Sequence, residues 1–263
     1  MLLSHIEDLC ARAAAGAFCA TAYLTPGEQM DITAYLQRTG HASRARFYGG
    51  FADAQRCCLL LFPDYAIELC DPTLEGILAT QQMIAICGEE DPIQPLLIRG
   101  SGFCQLTHRD YLGSLLALGL EREVLGDIEL IDAHSAYVFC RAGIVGYLES
   151  SLERIANDRV RLERVQLPPD FASLRKTQPI SDTVASSRLD CVIAALVNCS
   201  RDRAQGLIRE CRVELDYHTE ERVDRVVPTP CAITVRGVGK FRVISIATQT
   251  KKGRYRLSAE KYV

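Results

Sequence analysis

Cysteine pairs at metal-binding spacing are missing from this sequence, although it contains 12 cysteines. No Cys-x-x-Cys occurs, Cys57 and Cys58 are adjacent, and others such as Cys87 and Cys140 stand singly within apolar runs. Zinc sites take their ligands at short, repeated spacings. The pattern therefore predicts buried free thiols in a reducing compartment, with no bound metal and no other cofactor.

Long apolar runs and targeting signals are also missing. No segment approaches the roughly 18 apolar residues that span a bilayer. The start of the chain carries Glu7 and Asp8 and lacks a basic cluster, which argues against a secretory signal. We therefore expect a cytoplasmic protein without a membrane partner.

Charge is unevenly distributed along the 263 residues, although the net charge is only −3. Residues 186–263 hold 15 basic and 9 acidic side chains, whereas residues 1–185 hold 15 basic and 24 acidic ones. A basic tail on an acidic body indicates that the tail meets a polyanion such as a nucleic acid.

The pattern of apolar and turn residues predicts an α+β protein with three regions. Residues 1–78 indicate a mixed α/β region, with helices at 2–15 and 26–40 and strands at 44–48 and 59–61. Residues 167–185 begin with Leu-Pro-Pro-Asp and contain few apolar residues, which favours a linker or a connecting strand.

Residues 79–166 predict a ferredoxin-like α-β plait. The predicted strands are at 83–87, 96–98, 127–131, 136–140 and 160–165, and the helices at 107–119 and 142–157. Their order is close to β-α-β-β-α-β, the plan of a split βαβ fold.

Residues 186–263 predict two short helices followed by strands. Ser200 is a strong N-cap for the second helix, on which Arg201, Gln205 and Arg209 share a face while Arg203 lies on a flank. A helix N-terminus offers unpaired backbone N–H groups to an anion, and arginine adds charge-assisted hydrogen bonds. These residues therefore predict a phosphate-binding helix.

Two glycine-containing basic loops lie between the C-terminal strands. The first carries Arg236 and Lys240, and the second carries Lys251, Lys252 and Arg254. Such loops place cations and backbone close to a phosphate strand. We expect both loops to contribute to RNA binding.

The C-terminal pattern resembles the S4-like RNA-binding domain, two helices packed on a small sheet that bind shaped rRNA or tRNA. The resemblance rests on Arg-Leu-Asp at 188–190, Ser-Arg-x-x-Ala-Gln starting at 200, and a later Val-Arg-Gly. It implies that Arg201, Arg203 and Gln205 contact RNA, and that Ser187, Arg188, Asp190 and Ser200 occupy motif positions. The chain departs from the family at Glu210-Cys211-Arg212, where small or glycine residues are usual.

The body of the chain is similar to the YlmH family of ribosome-associated S4-domain proteins. The resemblance is carried by Phe-Tyr-Gly-Gly-Phe at 47–51, Ala54-x-Arg56, Leu-Thr-His-Arg-Asp-Tyr-Leu-Gly at 106–113 and Gly-Asp-Ile at 126–128. It implies a non-catalytic protein that binds rRNA or tRNA on the large ribosomal subunit, in rescue of stalled translation. We expect it to act as a monomer.

Three further patterns leave alternatives open. His108, Arg109 and Tyr137 are candidates for a second RNA site in the plait, although fold organisation and core packing are the favoured interpretations. Arg188-Leu189-Asp190 also resembles the catalytic triplet of pseudouridine synthases, so an RNA-modifying enzyme is an alternative function. Cyanobacterial and plastid relatives labelled photosystem II S4 domain proteins suggest a factor for photosystem assembly or expression as another.

Overall fold

The computed structural model describes residues 2–249 and 253–262. It divides into two compact units, Met1–Leu174 and Arg175–Val263. Along these described stretches, no helix combines the length and the apolar character needed to cross a membrane. The secondary structure is mixed, with helices packed on antiparallel sheets, so the predicted α+β class is confirmed.

The first part of unit 1 is a three-stranded sheet with helices around it. Its elements are α1 Leu2–Ala14, β1 Cys19–Leu24, α2 Pro26–Thr39, β2 Ala45–Tyr48, β3 Cys57–Leu61, α3 Asp64–Leu69 and α4 Gly76–Ile86. The sheet order is β1-β3-β2, so β3 is central, and all five of its residues are buried. A capping box between Thr25 and Glu28 starts α2, and Gly40 in the left-handed conformation ends it.

The second part of unit 1 has the predicted plait order. Its elements are β4 Ile93–Gly100, α5 His108–Ala117, β5 Leu125–Leu130, β6 Ser135–Arg141, α6 Val145–Ser151, β7 Arg154–Ile155 and β8 Asp158–Arg164. The sheet order is β5-β6-β4-β8-β7, with every pair antiparallel. The strand predicted at 83–87 is wrong, because those residues end α4, and a short apolar run does not distinguish helix from strand.

The two faces of the plait sheet belong to different cores. Leu96, Ile98 and Val138 pack with Tyr111 and Leu115 of α5 on the helix-covered face. On the opposite face, Phe139 and Ile93 pack with Tyr48, Phe51 and Phe62 from the first part of the unit. The domain boundary predicted at 78/79 therefore falls inside α4. The residues before and after it pack into one hydrophobic core.

Unit 2 is a six-stranded antiparallel sheet with two helices. Its elements are β9 Thr177–Val184, α7 Leu189–Val197, α8 Arg201–Arg209, β10 Val213–Leu215, β11 His218–Thr219, β12 Cys231–Val235, β13 Gly239–Gln249 and β14 Tyr255–Tyr262. The sheet order is β11-β10-β12-β13-β14-β9. Apolar residues of α7 and α8 share one core with Ile233, Phe241 and Leu257 of the sheet, as the predicted helix pair on a small sheet requires.

Two local expectations about this region can be compared with the structure. Of the two alternatives for 167–185, the second half of the stretch forms a strand, β9, whose eight residues pair with β14 at the edge of the sheet. Its polar composition is that of an edge strand with one exposed face. At Glu210-Cys211-Arg212, where the chain departs from the S4-like pattern, Cys211 adopts a left-handed backbone conformation with φ of 54°. The turn after α8 therefore forms without glycine.

Candidate nucleic-acid interface

A tight turn brings the N-terminus of α8 against α7. Asn198 ends α7 in the left-handed conformation, with φ of 53°, and its N–H donates to carbonyls of the last turn. Ser200 then caps α8, its hydroxyl accepting from the backbone N–H of Arg203 at 3.2 Å. Asparagine tolerates this conformation better than most residues, and serine is a favoured N-cap. The turn places Arg201 and Gln205 over the first turn of α7.

A buried carboxylate, Asp190, organises the polar groups at this turn. Its side chain has no exposed surface. One oxygen accepts from Arg201 Nε at 2.8 Å and from Gln205 Nε2 at 2.9 Å. Arg188 adds hydrogen bonds from Nε at 3.3 Å and from Nη2 at 3.4 Å. Residues from three places in the S4-like motif thus converge on one acid.

The charge state of Asp190 follows from these contacts. Burial alone would raise the pKa of its carboxyl, but hydrogen bonds from Arg188, Gln205 and Arg201, with the positive charge of Arg201, hold the pKa well below its ordinary value. The hydrogen bond to Asp190 in turn raises the pKa of Arg201. Asp190 is therefore an ionised structural anchor.

Arg201 keeps most of its hydrogen-bonding capacity for a ligand. Its side chain is 52% exposed, and Asp190 engages only Nε. A guanidinium has five N–H donors, so the terminal amino groups remain available for phosphate. Arg188, with 39% of its side chain exposed, is held by the same acid. The pair of arginines exceeds the charge of Asp190 by one.

The remaining predicted helix residues have distinct positions. Arg203 is exposed, and its side chain has no partner among the residues that the structure describes. Gln205 uses its amide N–H on Asp190, and its oxygen accepts from Arg209 at 3.5 Å. Gln205 therefore positions its neighbours more than it offers free donors. Ser187 accepts the Val227 N–H through its carbonyl, which fixes the segment before Arg188.

The cations of the basic loops have partners within unit 2. Arg236 pairs with Glu214 at 3.0 Å. The Lys240 ammonium lies 4.7 Å from the Tyr217 ring centroid and 5.6 Å from that of Tyr262. Arg254 donates from Nε to the Thr183 hydroxyl at 3.0 Å. Lys251 and Lys252, also predicted to bind RNA, lie outside the described residues.

The three residues predicted for a second RNA site do not share a surface. His108 and Arg109 begin α5, which covers one face of the plait sheet. Tyr137 points to the other face, where its ring packs edge-on against Phe171 at 5.5 Å between centroids. Because successive residues of a strand alternate between faces, Tyr137 lies on the same face of the sheet as Phe139 and on the opposite face from Val138. The favoured interpretation of Tyr137 as a packing residue agrees with this geometry.

The motifs of the chain body have structural roles. Arg56 donates from Nε to the Leu125 carbonyl at 3.0 Å and from Nη2 to the Arg122 carbonyl at 3.1 Å. Asp127 accepts the backbone N–H of Gln55 at 2.5 Å. These contacts join the loop before β3 to β5, so the shared motif residues hold unit 1 together.

The cysteines are all free thiols, half of them buried and half partly buried. Within residues 2–249 and 253–262, no three His, Cys, Asp or Glu side chains come together as a metal site would require.

Comparisons with known proteins place the chain among similar sequences. Residues 97–168 match the family model described as “Putative RNA-binding domain in YlmH”. The chain is 27% identical over 245 residues to the ribosome-associated protein quality control protein P2 of Bacillus subtilis (strain 168), covering 92% of this chain and 86% of that protein. These two matches confirm the predicted resemblance to the YlmH family. A solved structure, the cell division protein ylmH from Streptococcus pneumoniae, has 19% identity and a TM-score of 0.42, covering 62% of this chain and 84% of that one.

Proposed function

We infer that this chain, which carries a YlmH-type RNA-binding domain over residues 97–168, is a non-catalytic RNA-binding protein that acts in ribosome-associated quality control. The observation that carries the proposal is the cluster at the N-terminus of α8, where Asp190 orients Arg201 and Arg188 while the side chain of Arg203 is exposed to solvent. The similarity to the Bacillus subtilis quality control protein supports the ribosomal context.

The chemistry of this cluster suits a phosphate backbone. Backbone N–H groups at a helix N-terminus and arginine forks both favour anions. Asp190 limits the rotamers of Arg201 before binding, which lowers the entropy lost when a phosphate is bound. Contacts of this kind read position and shape and carry little sequence information, as expected for recognition of folded RNA.

The finer form of the proposal is binding of rRNA or tRNA on the large ribosomal subunit, by a monomer in the cytoplasm. The contacting residues are proposed to be Arg188, Arg201, Arg203 and Arg209, with Ser187, Ser200 and Gln205 positioning them. Arg236, Lys240 and Arg254 would contribute less to RNA binding, because each already has a partner in the protein.

A filter-binding titration tests the arginines. Arg201→Ala with Arg203→Ala is expected to weaken binding to tRNA or rRNA and to flatten the salt dependence by about 1.8 in slope, at roughly 0.9 for each phosphate contact. Arg203→Ala alone keeps the hydrogen bonds to Asp190 intact. It therefore distinguishes a lost RNA contact from a disturbed local fold. Arg222→Ala with Arg225→Ala removes two arginines ion-paired with Asp224 and Glu220, and is the charge-matched control. An unchanged slope in both test variants would reject this site.

Two further measurements test the finer form. Co-sedimentation with purified subunits is expected to place the protein on the large subunit, and loss of the association in the double variant would link it to α8. Nucleoside mass spectrometry of tRNA and rRNA incubated with the protein is expected to show no new modification. A new modified nucleoside would favour the RNA-modifying alternative.

A further inference from the structure

An aromatic ring almost without protein cover stands in the loop between β4 and α5. Phe103 is 93% exposed, the largest exposed fraction of any large apolar side chain in the described stretches. Burial of a phenyl ring stabilises a fold through the hydrophobic effect, and Phe103 makes no such contribution at this position. Isolated exposed apolar residues are common, so exposure alone does not indicate a functional role for Phe103. Its surroundings supply the further observations.

The loop that carries Phe103 is anchored on both sides of it. Asp158, which is 4% exposed, accepts the backbone N–H of Ser101 at 3.0 Å and also its hydroxyl. On the other side, His134 Nδ1 lies 2.7 Å from the carbonyl oxygen of Cys104. A carbonyl oxygen only accepts, so Nδ1 is the donor in this contact. The ring is thus held outward by contacts of its neighbours.

A cavity adjoins the anchored loop on the face of the plait sheet opposite α5. Its volume is about 380 Å³, and it is lined by Leu97, Arg99, Gly100, Ile131, Asp132, His134, Ser135 and Tyr137. His134 belongs to both features, since it lines the cavity and binds the carbonyl of the residue after Phe103.

Two arginines face each other across the neighbouring strands. Arg99 on β4 is directly opposite Arg161 on β8. Both are exposed, and the described part of the chain offers neither side chain a hydrogen-bond or ion-pair partner. Like charges in this register repel, and an anion between them would relieve the repulsion. Glu163 and Asp132 are the nearby acids, and Asp132 is already bound by the backbone N–H of His134.

We propose that this surface binds a single-stranded segment of RNA, with Phe103 stacking on an unpaired base, Arg99 and Arg161 contacting the adjoining phosphates, and the cavity receiving a neighbouring base. Aromatic platforms beside cations are the usual means of binding unstacked nucleotides. The proposal deepens the proposed RNA-binding function and rests on it, but it uses a different surface from the N-terminus of α8. A protein partner would use Phe103 as an apolar plug and would not require the two arginines.

Fluorescence anisotropy with a labelled single-stranded oligouridine and the full chain tests this surface. Phe103→Ala is expected to weaken binding roughly tenfold, because stacking on an aromatic side chain is worth that order per base. Phe103→Trp should retain binding, whereas Phe103→Leu, which keeps the apolar character and loses the ring, should behave like Phe103→Ala. Arg99→Ala with Arg161→Ala should lower the salt slope by about 1.4, at roughly 0.7 for each contact on a single strand.

Arg12→Ala with Arg38→Ala, which removes two exposed arginines on α1 and α2, is the charge-matched control and should bind as wild type does. Wild-type affinity in Phe103→Leu would overturn stacking and point to an apolar partner. Wild-type affinity in Phe103→Ala and in the Arg99–Arg161 variant would overturn the site, and loss of tRNA or rRNA binding in the Arg201–Arg203 variant would then leave the proposed function standing. If the wild type binds neither RNA, both proposals fail.

Discussion

A single buried acid, Asp190, positions two of the arginines at the turn between α7 and α8. Asp190 binds Arg201, Arg188 and Gln205 together, so these side chains form one hydrogen-bonded group and not three independent contacts. Buried ion pairs add little net stability, because desolvation offsets the attraction, but removal of one partner is costly. The acid therefore acts mainly by holding the arginines in place.

The stability contributed by Asp190 should depend on pH. Its pKa is lowered in the folded state, so the contribution is fully present above the ordinary carboxyl pKa of about 3.9 and declines as the pH falls below it. Asp190→Asn is expected to lower the free energy of unfolding by about 1–3 kcal/mol at pH 7. The difference from wild type should shrink by about 1 kcal/mol at pH 3. Urea denaturation at the two pH values measures it, and an equal difference at both would contradict the ionised anchor.

At the scale of elements, close approach between strands explains one of the family motifs. A Cβ on Gly126 of β5 would lie 2.6 Å from the ring of Tyr23, which is 1% exposed on β1. The strand is irregular here, because its pairing with β6 shifts between Leu125 and Ile128. Glycine at this position allows β5 to pack against the first part of unit 1.

Gly126→Ala should therefore destabilise unit 1. Overpacking against a fixed ring costs about 1–3 kcal/mol, and Tyr23 is fully enclosed. Gly113→Ala is the matched control, because a Cβ there meets nothing within 4 Å in α5. Alanine in a helix is favoured over glycine by up to about 1 kcal/mol, so the control should be neutral or stabilising. Thermal unfolding of both variants checks the contrast, and similar melting temperatures would show that β5 can move away.

At the scale of the whole molecule, burial controls the chemistry of the thiols. Burial raises the pKa of Cys57 and Cys140 to about 12 and that of Cys58 to about 11. The thiolate is the reactive form, so a raised pKa and a closed environment both slow modification. The sequence predicts buried free thiols, and burial holds for half of the cysteines while the other half are partly buried.

Alkylation of the native protein should separate the two groups of cysteines. At pH 8, iodoacetamide is expected to leave Cys57, Cys58 and Cys140 unmodified while partly buried thiols such as Cys104 and Cys199 react. After denaturation in urea all 12 cysteines should be modified. Peptide mass spectrometry measures the alkylation of each cysteine in the native and the denatured protein. Rapid labelling of Cys140 in the native protein would mean that the plait core opens readily.

Local patterns in the sequence determined much of the architecture. Capping residues and apolar periodicity located α1, α2, α5 and the α7–α8 pair, because these signals act within a few residues of chain. The plait order followed from the alternation of strands and helices. The strand predicted at 83–87 was wrong, and composition left open whether 167–185 is a linker or a strand, because α4 and β9 depend on their packing and pairing partners.

Only the tertiary structure decided which polar residues meet. The sequence by itself identified Arg201, Gln205 and Asp190 as motif positions, but their convergence on one buried carboxylate depends on the turn between two helices. Strand register placed Arg99 opposite Arg161, 62 positions later, and strand alternation put Tyr137 on the face away from α5. Propensity and periodicity are short-range properties, whereas charge pairing and burial depend on distances that arise only when the chain is folded.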